Sequence, residues 1–145
     1  MIKGEIIYRI WYGDKIVYLG RTRQNLQQRI RGHFFAKPRH RKIDIFAVTK
    51  IDYAEFKTQA DMYLYEIYYI NKFKPPLNVD DVAKDELTIS LPEVKWSLFR
   101  CDLMDKWKEQ ISPIQNAKMY NRRWGPISKL KKEMKGEEII EARKT

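Results

Sequence analysis

The chain has 145 residues and a mass of 17.6 kDa, room for one domain with a real core and a small appendage. Its hydrophobic share of 43% and its six Phe, four Trp and nine Tyr exclude a disordered polymer, while a net charge of +10 points to a polyanion, nucleic acid before a membrane surface. The lone Cys101 excludes internal disulfides and a Cys-rich zinc site, and Lys3, Glu5 and Arg9 interrupt the N-terminal run too often for a signal peptide or a membrane span.

In chain order, Ile6 to Tyr12 is β-branched and aromatic, Gly13-Asp14 is a turn signal, and Lys15 to Gly20 is a second β-type run, so the two read as a hairpin. Asn25 is a suitable N-cap for a helix to about Phe35, with Leu26, Ile30 and Phe34 on one face, ended by Lys37-Pro38. Ile43 to Ile51 reads as a third strand, and Thr58 to about Phe73 as a long helix stopped by Pro75-Pro76. Leu87 to Leu91 reads as a short extended piece. Asp102 to Ile111, Pro113 to Tyr120 and Ile127 to Lys135 read as helices separated by Pro113 and Gly125-Pro126. Cys101, in KWSLFRCDLM, reads as a packed thiol. The expected organisation is a domain over residues 1–80 followed by a basic helical extension over 81–145 that packs on it and contacts DNA.

Charge is uneven along this plan. Residues 1–80 carry 15 basic and 8 acidic side chains, a net of +7, and Arg21 to Lys42 holds eight Lys/Arg and both histidines without one acid. A solvated face mixes signs, so this run reads as a surface for phosphates.

The long helix carries an anomaly, because Glu66 falls in the middle of an otherwise apolar face made by Met62, Tyr63, Tyr69, Ile70 and Phe73. A carboxylate placed there needs a cation, a metal, an arginine or both; the plainest case is a structural Glu-Arg salt bridge. On the first helix Arg29 and His33 are four residues apart, along the edge of the apolar stripe; they read as a cleft wall or as a solvated basic edge. Tyr8 and Tyr18 occupy the two arms of the hairpin. A tight two-residue turn pairs Tyr8 with Leu19 and sends the tyrosines to opposite faces, whereas a longer turn or one bulge brings them together.

The succession IIY, VYLG, LQQRIRGH, a helix with an internal glutamate (MYLYEIYYINKF) and PPLN resembles the GIY-YIG nuclease family over roughly residues 5 to 80. By position, the resemblance places Tyr8 and Tyr18 on the two motif tyrosines, with Gly20 as the second motif's glycine. Arg29 and His33 fall on the site arginine and histidine of the first helix, Glu66 on the metal-binding glutamate, and Asn78 on the asparagine that closes the site. Two departures are Ile6 in place of the first motif's glycine, and Leu19 within Tyr18-Leu19-Gly20; His40, in PRHRK, is a further site candidate.

The implied fold is α+β, a small three-stranded and mostly antiparallel sheet flanked by helices, with the helical C-terminal extension added. The implied activity is hydrolysis of DNA phosphodiesters with one Mg²⁺ or Mn²⁺ per site, in a mobile-element, restriction-like or structure-specific nuclease. In that scheme Glu66 holds the metal, Arg29 steadies charge on the phosphate, and Tyr8 is the general base, directly or after cations lower its phenol pKa. Tyr18 orients water or phosphate, and His33 assists proton transfer. The expected DNA-backbone contacts are Arg21, Arg23, Arg31, Arg39, His40, Arg41, Lys42, Arg122 and Arg123. The alternative is a DNA-binding regulator or accessory protein on the same scaffold that does not cut. An intracellular location, in cytoplasm or nucleoid and without a membrane partner, is expected; oligomeric state is open.

Overall fold

A computed structural model describes residues 4–35 and 43–111. Arg39, His40, Arg41, Lys42, Arg122 and Arg123, and the helices expected at Pro113–Tyr120 and Ile127–Lys135, lie outside the described residues.

The β-branched and aromatic N-terminal runs form the expected antiparallel hairpin, β1 (Glu5–Tyr12) and β2 (Lys15–Thr22). Gly13, at φ +58°, supplies the left-handed conformation that its tight turn requires. Helix α1 (Leu26–Phe35) begins at Asn25, whose side-chain oxygen accepts the Gln27 N–H at 2.9 Å, and it buries Leu26, Ile30 and Phe34. Helix α2 (Gln59–Phe73) is capped by Thr58, which accepts the Asp61 N–H. It ends where Lys74 turns left-handed and donates its N–H to the Ile70 carbonyl, just before the two prolines.

The third strand, β3, is Lys50–Phe56 and not Ile43–Ile51. Asp44 redirects the chain there: its carboxylate accepts the Phe46 N–H and caps a 3₁₀ turn at Ile45–Ala47, while its own N–H donates to the Tyr12 hydroxyl at 2.9 Å. Ile43 and Ile45 are therefore buried as core plugs beneath the sheet. The polar look of KIDYAEF conceals a strand because Asp52 sits opposite Arg9. That arginine donates to it at 2.9 and 2.5 Å, the Trp11 indole adds a bond at 3.1 Å, and the Trp96 ring lies 3.7 Å from the guanidinium carbon.

Among the described residues the sheet has four antiparallel strands in the order β2-β1-β3-β4, one more than expected. The extra strand, β4 (Ser97–Leu98), is two residues of the extension paired to Asp52 and Tyr53. Helix α3 (Cys101–Gln110) follows, close to the expected Asp102–Ile111.

One face of the sheet, with Ile6, Tyr8, Ile10, Tyr12 and Val17, packs on α1 and on Phe99, Leu103, Met104 and Trp107. The other face, with Ile7 and Leu19, packs on α2 and on an irregular strap carrying Leu87, Leu91, Val94 and Trp96. Residues 87–107 thus complete both cores of the N-terminal sheet. Cys101 is exposed, contrary to expectation, because it precedes the buried stripe of α3 by two residues. No helix among the described residues is long and apolar enough to cross a membrane.

Trp107 is 4% exposed and meets the rings of Phe34, Phe35 and Phe99. Trp107→Ala is expected to lower unfolding free energy by about 3–5 kcal/mol in urea titrations. A loss below about 1 kcal/mol, the range of an ordinary surface substitution, would show that α3 is an attached appendage.

Candidate active site

Hairpin register decides where the two tyrosines go. Tyr12 pairs with Lys15 and Trp11 with Ile16, but Ile10 then pairs with Tyr18 and Tyr8 with Gly20. Val17 is the extra residue of a β-bulge, and beyond it the side chains of β2 change face. Tyr8 and Tyr18 consequently share one face with ring centroids 6.2 Å apart, and the His33 ring stands edge-on to both, at 5.6 and 5.0 Å.

Gly20 is required by this packing. A Cβ at that position would lie 2.6 Å from the Tyr8 hydroxyl and 2.9 Å from the Tyr18 ring, closer than side-chain atoms approach. Ile6, in contrast, causes no rearrangement: it is fully buried and pairs with Thr22 on one side and Glu55 on the other.

Tyr18, Gly20, Arg21, Arg29, Glu66 and Asn78 border a cleft of about 310 Å³ beside β2. Tyr8 lies fully buried under its floor and shares a 2.6 Å hydrogen bond with His33 Nε2. Asn78 holds the opposite rim. Its amide oxygen accepts the Leu19 N–H at 2.9 Å and its amide nitrogen donates to the Leu19 carbonyl at 2.8 Å, so it pairs with the edge of β2 as another strand would. Leu77 adds a backbone bond to Val17 at 3.0 Å. Asn78 thus positions the cleft wall through an amide already occupied by backbone.

Glu66 projects from the buried face of α2 to the cleft and accepts a 3.0 Å bond from Arg21, whose guanidinium also lies 4.2 Å from the Tyr63 ring. Burial raises the Glu66 pKa and Arg21 offsets part of the rise, while the charge of Asp81 adds to it. Among the described residues no three His, Cys, Asp or Glu side chains gather into a metal cluster. A cation at this cleft would rest on the Glu66 carboxylate and complete its shell with water and phosphate oxygens. One hard carboxylate is a donor set that suits Mg²⁺ or Mn²⁺, which keep much of their water.

Burial also governs the proton positions. It raises the Tyr8 pKa, with the Tyr18 charge adding to the rise, and Arg29 only partly opposes this; Tyr18 is raised by burial in the same way. The expectation that cations lower the Tyr8 phenol pKa therefore does not describe this state, because desolvation outweighs Arg29. Arg29 itself is held more firmly charged, chiefly by Tyr8. His33 is pushed down to about 4, by burial first and by the Arg29 charge second, so its imidazole is neutral near pH 7.

The model of the GIY-YIG catalytic domain matches residues 5–78. The chain belongs to the GIY-YIG family. No curated protein and no solved structure matches it. The family is one of nucleases that act on DNA, and the α+β architecture agrees with its fold.

The GIY-YIG site residues assigned by position, Tyr8, Tyr18, Arg29, His33, Glu66 and Asn78, all meet at this cleft or directly beneath it. The basic side chains expected on the DNA backbone divide. Arg21 pairs with Glu66, Arg23 with Glu5 at 3.1 Å, and Arg31 lies exposed on α1 over Phe35. Sequence reasoning missed one participant. Asn71, buried on α2, donates to the Asp81 carbonyl and accepts the Ala83 N–H, fixing the far rim; a polar residue inside YYINKF was the available signal. For Glu66 an arginine was among the expected partners; that it is Arg21, 45 residues away, had no sequence signal.

The His33 pKa is lower folded than its ordinary 6.5, so the unfolded chain binds the proton more readily between those values. The contribution of His33 is therefore a loss of stability as pH falls from 6.5 toward 4, with no change above 6.5. The His33 imidazole is expected to titrate at about 4 by NMR; a midpoint near 6.5 would contradict a buried neutral ring.

Proposed function

We propose that the protein is a metal-dependent DNA endonuclease whose general base is Tyr8, with His33 as the acceptor of the Tyr8 proton. The observation that carries this reading is the 2.6 Å bond between a buried phenol and a neutral imidazole beneath a cleft that also holds an arginine and a carboxylate. A phenol whose pKa is raised does not stand ready as tyrosinate. In the Nδ1-protonated tautomer of His33, however, the Tyr8 O–H donates to Nε2, and that proton can leave along the bond while the oxygen takes one from an attacking water. Gly20, lacking a side chain, lets the Tyr8 hydroxyl sit where a Cβ would be, directly behind the cleft that Gly20 borders.

Tyr18, on the cleft side of Tyr8, orients the water or the phosphate. Arg29, held charged beside both phenols, donates to the phosphate oxygens as negative charge grows on them. Glu66 is the proposed ligand of one Mg²⁺ or Mn²⁺, which when bound supplies Lewis-acid stabilisation of the phosphate and of the departing 3′ oxygen. Asn78 and Asn71 act indirectly, by fixing the two rims. Arg31 is the proposed contact to the flanking backbone, together with Arg39, His40, Arg41, Lys42, Arg122 and Arg123.

Wild-type protein is expected to nick supercoiled plasmid with Mg²⁺ or Mn²⁺ and not in EDTA. Arg29→Ala and Glu66→Ala should each lower the nicking rate by about a hundredfold or more, the scale of losing a group that stabilises transition-state charge. DNA binding without nicking by any metal would favour the regulator reading instead.

A further inference from the structure

Glu66 is the carboxylate to which the proposed metal is assigned, yet a guanidinium already occupies it. Arg21 donates to Glu66 Oε1 at 3.0 Å, and the Tyr63 ring, one helical turn before Glu66 on α2, lies 4.2 Å from the guanidinium carbon. The pair is asymmetric. The Glu66 side chain is 9% exposed and held by its helix, whereas Arg21 is 46% exposed on the edge strand of the sheet and borders the same cleft as Arg29. The mobile partner of such a pair is the arginine, and its ion pair is of the half-exposed kind that contributes little to stability.

We propose that Arg21 stands in for the metal cation in the DNA-free protein and moves to a DNA phosphate when substrate binds, so that binding of DNA frees Glu66 for the divalent ion. The inference rests on the reading of Glu66 as the metal ligand. Arg21 sits on Oε1 and repels a second cation on the same carboxylate, so the metal binds more readily once the guanidinium leaves, and a free guanidinium needs another anion. A phosphodiester flanking the one that is cut offers two oxygens to its planar fork, in the geometry that arginine binds best. Metal affinity and DNA affinity are then linked, each raising the other by the same factor. The physical benefit is a cation site that stays weak until there is a phosphate to cut. Arg21 is in this account a positioning residue: it controls access to Glu66 and does not touch the reacting atoms.

The test uses full-length protein and two readouts that do not depend on cleavage. Mn²⁺ binding in the absence of DNA is followed by the electron paramagnetic resonance of the free ion in wild type, Arg21→Gln, Arg21→Lys and Glu66→Gln. Thermal melting by circular dichroism confirms that each variant folds. Arg21→Gln is expected to bind Mn²⁺ about three- to tenfold more tightly than wild type, Arg21→Lys to stay within about twofold, and Glu66→Gln to lose the site. In EDTA, the Nε–Hε resonance of Arg21 is expected to shift when a short duplex is added. Unchanged or weaker Mn²⁺ binding by Arg21→Gln overturns the proposal and makes Arg21 a static brace for Glu66, as does an Arg21 resonance that ignores DNA. Wild-type Mn²⁺ binding by Glu66→Gln overturns the assignment of the metal to Glu66 itself, and the stand-in with it.

Discussion

The site depends on one extra residue in one strand. An unbroken register from the Tyr12–Lys15 pair would put Tyr8 opposite Leu19 and leave the two motif tyrosines on different faces. The bulge at Val17 places Tyr8 opposite Gly20, turns Val17 and Tyr18 both toward α1, and moves Leu19 to the face that packs on α2. Three consequences follow. His33 can reach both rings, the Tyr8 hydroxyl settles over Gly20, and the Leu19 backbone is left at the sheet edge for Asn78 to bind. Edge strands are exposed to unwanted pairing, and here the same side-chain amide that covers the edge also builds the cleft wall.

A strongly basic chain is a plausible source of ionised phenols, but in this pocket desolvation is the larger influence. Both tyrosines are pushed toward the protonated form and His33 toward the neutral form, although Arg29 lies beside them. Positive charge therefore does its work on the cleft side, at Arg21 and Arg29, and the proton relay lies beneath it in an uncharged layer. The layering separates two conflicting demands only in part, since the Arg29 charge also lowers the basicity of His33. A phosphate needs cations, and a proton acceptor loses basicity beside them.

Much of this was legible in the sequence, and the gaps have physical causes. The helices were readable because Asn25, Thr58 and the Pro75-Pro76 pair mark their ends and their apolar residues recur with helical spacing. Glu66 stood out because a carboxylate in an apolar stripe demands a partner, but whether that partner is arginine or metal could not be read from the helix alone. The bulge left only alternatives, since it is chosen by packing of Val17 and Tyr18 against a helix and not by local preference. Ile43 to Ile51 misled because apolar residues that plug a core from a loop carry the same composition as a strand. The strap over α2 was invisible as structure beyond its short extended piece, because Leu87, Leu91, Val94 and Trp96 bury themselves without a regular period.

The claim that the bulge and the bare Gly20 assemble a working base is tested most directly by single-turnover nicking of a labelled duplex with Gly20→Ala protein. A Cβ there meets the Tyr8 hydroxyl at 2.6 Å and must displace it from its place over Gly20, whereas Glu66 borders the cleft from α2. In protein that still melts cooperatively, the account predicts DNA affinity within about twofold of wild type and a nicking rate lower by about a hundredfold, the scale of misplacing a reacting group by an ångström. A wild-type nicking rate in that variant would contradict it.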